Sequence, residues 1–202
     1  MQNMFNGMIK YQAKFLEFNK QNNTLKIELI DISEDEIKNI SLGDSIACNG
    51  ICLTVVKIEE NIFFFNIAPE TILQTNIINL KQDDHINIEF PMRVGDKIDG
   101  HLNYGHIYGT AKLIDISENN IFLFETKNNV FQYLDYKSPV TINGIALTIS
   151  NIYTDKNQFD VNIIPFTLEK TNLRFAKIND VVNIEPDILA VYTIGIVRRN
   201  GQ

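Results

Sequence analysis

Two cysteines and three histidines are all the thiol and imidazole chemistry in this chain of 202 residues. Cys48 and Cys52 lie four apart, not at the C-x-x-C spacing of a redox pair or half a zinc site, so neither a disulfide framework nor a metal is expected. Basic charge is also scarce. The formal net charge is −7 and the pI about 5.0, and Lys and Arg cluster only in the terminal "VRRN". The electrostatic footprint of a nucleic-acid surface is therefore missing, and a phosphate-rich ligand is weakly disfavoured. Apolar runs such as "NIFFFNI" at 61–67 fall far short of the roughly 20 residues that cross a bilayer. "MQNMFNGMIKYQAKF" has neither the apolar core nor the cleavage site of a secretion signal. The expectation is a soluble cytoplasmic protein with no nucleic-acid or membrane partner.

What the chain does have is a core's worth of apolar residues, 45% of the total, and an internal repeat. "NGICLTVVKI" (49–58) returns as "NGIALTISNI" (143–152), "PETILQTNI" (69–77) as "PFTLEKTNL" (165–173), and "INIE" (86–89) as "VNIE" (182–185). "FNGMIKYQAKF" (5–15) lines up with "NYGHIYGTAKL" (103–113). Blocks kept in one order over about half the chain describe a duplicated domain rather than a solenoid, with a junction near "RVGDKIDG" at 93–100. The expected units are 1–96, 97–187 and a tail, 188–202, that could serve oligomerisation.

Within each unit, segments such as "HINIEF", "FFFNIA", "VTINGIALTI" and "FDVNII" are rich in β-branched and aromatic residues and bounded by Asn, Asp and Gly. Asn-Gly pairs at 6, 49 and 143 suggest tight turns. About six strands per unit can be counted, and sheets that small bury their edges best by closing. The fold expected is all-β, a tandem pair of six-stranded antiparallel Greek-key barrels with short helices and a C-terminal segment. "SEDEIKNI" opens with a capping box, and "TKNNVFQYLDY" offers two or three helical turns. In the tail, β-branched residues and Gly195 weaken a helix.

Thr54 and Thr148 stand at one place in both units, as common strand residues or as hydroxyls of two similar pockets for a polar heterocycle. Cys52, beside the first turn, is Ala146 in the second; it is an inert core thiol or a reactive one. His101 and His106 lie among glycines in "DGHLNYGHIYGT", where packing and function are equally open, whereas His85 reads as a solvated loop residue. Asp187 has Met92 or Pro91 as its counterpart, so one unit carries a carboxylate that the other lacks.

Taken together, "MFNGMI", "NGICLTV", "DGHLNYGH", "NGIALTI" and "VNIEPD" resemble the riboflavin synthase family over almost the whole chain. That family carries N-G-x-C-L-T-V, then G-G-H-x-x-x-G-H, then D-G-x-S-L-T-V. The resemblance implies two barrels per chain, a homotrimer, and active sites between the N-terminal barrel of one subunit and the C-terminal barrel of another. It implies a transferase without cofactor, in which two molecules of 6,7-dimethyl-8-ribityllumazine exchange a four-carbon unit to give riboflavin and 5-amino-6-(D-ribitylamino)uracil. Non-catalytic lumazine- or flavin-binding proteins of the same fold are the alternative.

Carried over by resemblance, the N-terminal seat uses Ser45, Cys52, Thr54, Ala68 and Thr71, with Phe5 and Gly7 lining the approach. His101 and His106 stand close to the chemistry, and Gly100 lies beside them in the junction motif. The C-terminal seat uses Lys137, Asn143, Ala146, Thr148, Ile164 and Thr167, with Asp187. Cys52, His106, His101, Asp187 and Phe5 are the catalytic candidates. Asn143 and Ala146 depart from the family's Asp and Ser, which takes away a carboxylate and a hydroxyl. If that pair limits the rate, Asn143→Asp combined with Ala146→Ser raises kcat more than it changes KM in steady-state kinetics.

Overall fold

The computed structural model of the chain describes residues 4–201. Residues 1–3, which precede the Met-Phe pair, lie outside them. Six strands, β1 (Tyr11–Asn19), β2 (Thr24–Ile30), β3 (Ser45–Cys48), β4 (Ile51–Glu59), β5 (Ile62–Asn66) and β6 (His85–Glu89), close into an antiparallel barrel ordered β1-β2-β5-β4-β3-β6. Six more, β7 (Gly109–Ile116), β8 (Ile121–Thr126), β9 (Pro139–Ile142), β10 (Ile145–Tyr153), β11 (Gln158–Asn162) and β12 (Val181–Pro186), repeat that cyclic order. The duplicated Greek-key barrels expected from the repeat are the observed fold.

Alternation turns these sequences into barrels. In β2, "TLKIELI" sends Leu25, Ile27 and Leu29 inward, and in β8 "IFLFET" sends Phe122 and Phe124 inward. The first core adds Phe63, Phe65 and Ile86; the second adds Phe159 and Ile184. Each fully buried side chain of this kind stabilises by about 1.5–3 kcal/mol relative to exposure. Register shifts at Phe15/Glu17 and Val55/Lys57 recur at Leu113/Asp115 and Ile149/Asn151. Such bulges add twist and bend, which is how strands this short curl into closed barrels.

Short helices fill the connections: α1 (Glu34–Lys38), α2 (Pro69–Gln74), α3 (Asn128–Phe131) and α4 (Pro165–Lys170). Ser33 and Glu36 form the expected capping box on α1. The tail differs from its sequence reading: residues Ile188–Asn200 form a continuous helix, α5, despite Gly195. Its ends explain this. Asp187 accepts the Leu189 N–H at the start, Arg198 and Arg199 sit in the last turn, and Gly201 N–H returns to the Val197 carbonyl. Among the described residues no helix is long and apolar enough to cross a membrane.

The barrels meet through their equivalent hairpins. Asn49 (φ 46°) and Gly50 (φ 78°), like Asn143 (φ 46°) and Gly144 (φ 81°), have both turn residues left-handed, the requirement of a two-residue type I′ turn. Gly50 and Gly144 lie back to back: a Cβ on Gly50 would sit 2.7 Å from the Gly144 nitrogen. The Asn6-Gly7 pair is different, since only Gly7 is left-handed and it joins no hairpin.

Around these turns runs a belt of buried asparagines. Asn49 Oδ1 accepts from Asn87 N (2.8 Å), and Asn143 Oδ1 accepts from Asn183 N (2.8 Å). Asn87 Nδ2 donates across the joint to the Asn143 carbonyl, and Asn183 Nδ2 donates back to the Asn49 carbonyl, both at 3.0 Å. Asn76 N and Asn172 N complete the belt on Asn183 Oδ1 and Asn87 Oδ1, each at 2.7 Å. His85 belongs here too, not in a solvated loop, because its ring stacks on Phe175 of the other barrel at 4.1 Å and bonds Gln12 through Nδ1.

Gly144→Ala forces a Cβ into backbone with a left-handed φ, so it should destabilise by about 2 kcal/mol or more in urea denaturation. Gly43→Ala, left-handed but facing open space, should cost about half as much.

Candidate active site

The hairpins that join the barrels also carry the residues singled out for chemistry. In β3–β4, Ser45 pairs with Thr54 and Ala47 with Cys52; in β9–β10, Pro139 pairs with Thr148 and Thr141 with Ala146. Cys52 and Ala146 thus occupy one register position in two barrels. Each is covered by an arm of chain leading to a first barrel strand. Gly105 accepts the Cys52 N–H (3.1 Å), and Gly7 accepts the Ala146 N–H (3.0 Å). The approach is close enough to require glycine: a Cβ on either would stand 2.5 Å from the Cβ it faces, and both have φ near +73°.

The arms cross over. Gly7 leads into barrel one and lies on barrel two; Gly105 leads into barrel two and lies on barrel one. At the crossing, Phe5 and Asn103 exchange backbone hydrogen bonds of 2.8 and 2.9 Å, so Phe5 is a buried bridge residue here. Each arm is held by a buried glutamate of its own barrel. Glu89 accepts from Asn6 N (2.8 Å) and Gly7 N (3.0 Å), and Glu185 from Tyr104 N (2.8 Å) and Gly105 N (3.0 Å).

Two clusters result. At the first, Cys52 is half-buried; burial pushes its thiol up, and a hydrogen bond with the Ser45 hydroxyl opposes this. The thiol is therefore protonated near neutral pH, a poor nucleophile but a serviceable wall. His106 follows Gly105 on the arm and is exposed. Cys48 points into the core, where burial pushes its thiol up much further.

The second cluster surrounds Ala146. Gly100 presses on it and on the arm, since a Cβ there would meet Asn6 O at 2.1 Å and the Ala146 Cβ at 2.9 Å. Thr141 donates to Asn103 Oδ1, so the His101 Nε2 that lies 2.9 Å from the Thr141 hydroxyl carries the proton. Burial lowers His101 and the Asp187 charge opposes that. The ring is neutral at pH 7. The two histidines are thus divided, His106 to the Cys52 cluster and His101 to the Ala146 cluster.

Other candidates are placed more loosely. Thr54, Thr148, Ala68 and Ile164 are exposed, the last two as N-caps of α2 and α4. Thr71 and Thr167 lie on those helices, where their carbonyls accept from Thr75 and Thr171. Lys137 has a left-handed backbone, and its Nζ lies 5.2 Å from the Tyr136 ring. The Asn143 Oδ1 is engaged by the Asn183 amide in the inter-barrel belt, so position 143 serves the joint.

Of these residues, Asn143 lines a cavity of about 450 Å³ between the barrels, and Ser45 lines one of about 980 Å³ on barrel one. Thr54, Ala68, His106, Lys137, Thr148 and Ile164 are exposed on the single chain, whereas Phe5 and Gly7 are buried. Glu89, Glu185, Asn103 and Thr141 were not singled out from sequence, although the repeated "INIE" and "VNIE" carried both glutamates.

A family model described as the lumazine binding domain matches residues 6–91 and 104–187. Riboflavin synthase of Buchnera aphidicola subsp. Schizaphis graminum (strain Sg) is 38% identical over 97% of this chain and 95% of its own. That of Escherichia coli (strain K12) is 34% identical over 97% and 92%. Among solved structures, LumP complexed with riboflavin superposes with a TM-score of 0.79 at 22% identity, covering 91% of this chain and 99% of that one. LumP complexed with 6,7-dimethyl-8-(1'-D-ribityl) lumazine gives 0.77 at 22%, over 90% and 98%.

The raised thiol makes a chemical prediction. At pH 7.5 Cys52 should react with iodoacetamide several-fold more slowly than free cysteine, and Cys48 only on unfolding, as read by mass spectrometry. Cys52→Ser should slow turnover while the melting temperature moves by no more than about 2 °C.

Proposed function

Because the chain belongs to the lumazine binding domain family and is a riboflavin synthase, we propose that its active site stacks two substrates between the Cys52 seat of one subunit and the Ala146 seat of another. One observation carries this reading. Cys52 and Ala146 hold one register position in two barrels, each under a crossing arm, and two identical substrates require two similar seats that face each other.

The reaction moves a four-carbon unit between two 6,7-dimethyl-8-ribityllumazine molecules, giving riboflavin and 5-amino-6-(D-ribitylamino)uracil with all atoms conserved and no cofactor. It begins with loss of a proton from the 7-methyl group, whose anion spreads into the heterocycle, so modest base assistance is enough. His106, exposed on its arm, can take that proton at the first seat. At the second, His101 is held neutral on Thr141 with Asp187 nearby, so a proton can be supplied or received there. Most of the rate gain then comes from holding two rings in register, an effect worth up to about 7–11 kcal/mol. Thr54 and Thr148, and likewise Thr71 and Thr167, supply matching hydroxyls for the two ring systems.

Subunit pairing needs a surface, and α5 offers one. Leu189, Tyr192 and Val197 are 72%, 60% and 63% exposed, and no residue of the helix is buried within the chain. An apolar helix face without cover is an oligomerisation element, and copies of α5 packing on one another in a homotrimer satisfy it. The non-catalytic reading rested on Asn143 and Ala146; with Asn143 committed to the joint, that reading loses half of its motive.

Purified protein incubated with the lumazine at pH 6 to 8 should form riboflavin without added cofactor, and no product across that range would refute the assignment. Ending the chain after Asp187 should convert trimers to monomers in sedimentation velocity and lower kcat at least about tenfold while the barrels stay folded.

A further inference from the structure

Glu89 and Glu185 hold equivalent places at the ends of β6 and β12. They are 7% and 4% exposed, and among the described residues neither makes an ion pair. A carboxylate buried without a cation is unfavourable unless amides satisfy it. Here each receives two backbone N–H groups from consecutive residues of its arm, at 2.8 and 3.0 Å in both barrels.

From each carboxylate the contacts run straight to a seat. Glu185 holds Tyr104 and Gly105; Gly105 in turn accepts the amide of Cys52, and the next residue is His106, whose N–H also faces Glu185. Glu89 holds Asn6 and Gly7, and Gly7 accepts the amide of Ala146. Glu89 also borders the cavity of about 980 Å³ that Ser45 lines, yet the hydrogen bonds that engage both carboxylates come from arm amides. We propose that Glu89 and Glu185 are positioning residues for the reaction: each fixes a crossing arm against the floor of one seat, and Glu185 also sets where His106 stands.

This rests on Cys52 and Ala146 being the floors of the two seats. An ionised carboxylate accepts both arm amides fully. A protonated one turns an acceptor oxygen into a donor, so the two amides compete for what remains and the arm loosens. Burial pushes both acids up to about 7, with the arm amides acting against it. The groups that bear on them are few: Lys10 lowers Glu89, Glu89 raises Glu185, and Cys52 and Tyr108 feel the Glu185 charge.

Stability and function then run in opposite directions with pH. Both acids stand above their ordinary value of 4.5, so their stabilising contribution is complete below that value and is lost as pH rises through about 7. The grip on the arms is complete only above about 7. Wild-type kcat should therefore climb between pH 6 and 8 while the melting temperature declines.

The test follows the Gly7 and Gly105 amides by NMR through that range, alongside steady-state kinetics of Glu89→Gln, Glu185→Gln and Glu185→Asp. A glutamine has one acceptor oxygen and turns an N–H₂ toward the second arm amide. The Gln variants should keep their fold, with melting temperatures at pH 8 equal to wild type or higher. They should lose about tenfold or more in kcat, change KM less than threefold, and flatten the pH profile. Glu185→Asp keeps the charge and should keep a pH-dependent kcat. Unchanged kcat and pH profile in the Gln variants would overturn the proposal, as would a loss of activity that merely tracks the unfolded fraction. If the Gln variants do not fold, the wild-type amides decide: titration in step with kcat supports positioning, and amides that stay flat refute it. An inactive wild type would instead refute the seat reading, and the same amide titration would still show whether the carboxylates hold the arms.

Discussion

Everything in this molecule is referred to the place where two β-turns stand back to back. With Gly50 against Gly144 there is no room for a side chain at that contact, so there backbone packs directly on backbone and cannot slide without a clash. The asparagines around it then satisfy the turn carbonyls and the amides of β6 and β12 that would otherwise be buried without partners, a condition that penalises any shift in register. Apolar packing would have been as strong but less particular, since greasy surfaces tolerate sliding. Hydrogen bonds from Asn87 and Asn183 to the opposite turn do not.

That constraint reaches the site through covalent continuity. Gly50 is two residues from Cys52, and Gly144 is two residues from Ala146, so fixing the turns fixes both floors. The arms add the second coordinate. Since each arm belongs to one barrel and rests on the other, the opening above each floor depends on both barrels at once. Residues placed this way are held where register matters, by turn on one side and arm on the other. Catalysis by positioning needs that stiffness, because a misplacement of a single ångström sacrifices most of the advantage of holding reactants together.

The fold was legible because barrel strands write a period-two pattern and duplication writes it twice. The turns at Asn49 and Asn143 were legible for the same reason, as Asn-Gly is the usual solution to two left-handed residues. Asn6-Gly7 misled, since the same dipeptide there serves close approach rather than a hairpin. The candidate site residues came from motif, and motif does not show which of them a joint engages: Asn143 and Ala146 are three apart, yet one bonds within the belt and the other bonds the Gly7 arm. Glu89 and Glu185 went unassigned because their partners are backbone amides some eighty residues away. Such partners leave no trace in side-chain pattern. The α5 helix was under-read because its stability lies in its caps rather than its propensities.

The two halves have not diverged evenly, and the pattern of divergence is itself informative. Where barrel meets barrel the pairs are identical: Asn49 with Asn143, Asn76 with Asn172, Asn87 with Asn183, Glu89 with Glu185, Gly7 with Gly105. Thr54 on β4 matches Thr148 on β10, and Thr71 on α2 matches Thr167 on α4. Differences gather at the floors and arms: Cys52 against Ala146, Ser45 against Pro139, Gly43 against Lys137, and Met8 against His106. Two copies of one substrate need the same grip, so the gripping residues stay alike. They do not undergo the same change, because one gives up four carbons and the other receives them. Proton transfer is needed at different moments on the two rings, and a titratable group that helps one would be idle or harmful at the other. Symmetry in the joint with asymmetry in the acid–base residues is what a dismutation between identical molecules demands of a duplicated fold.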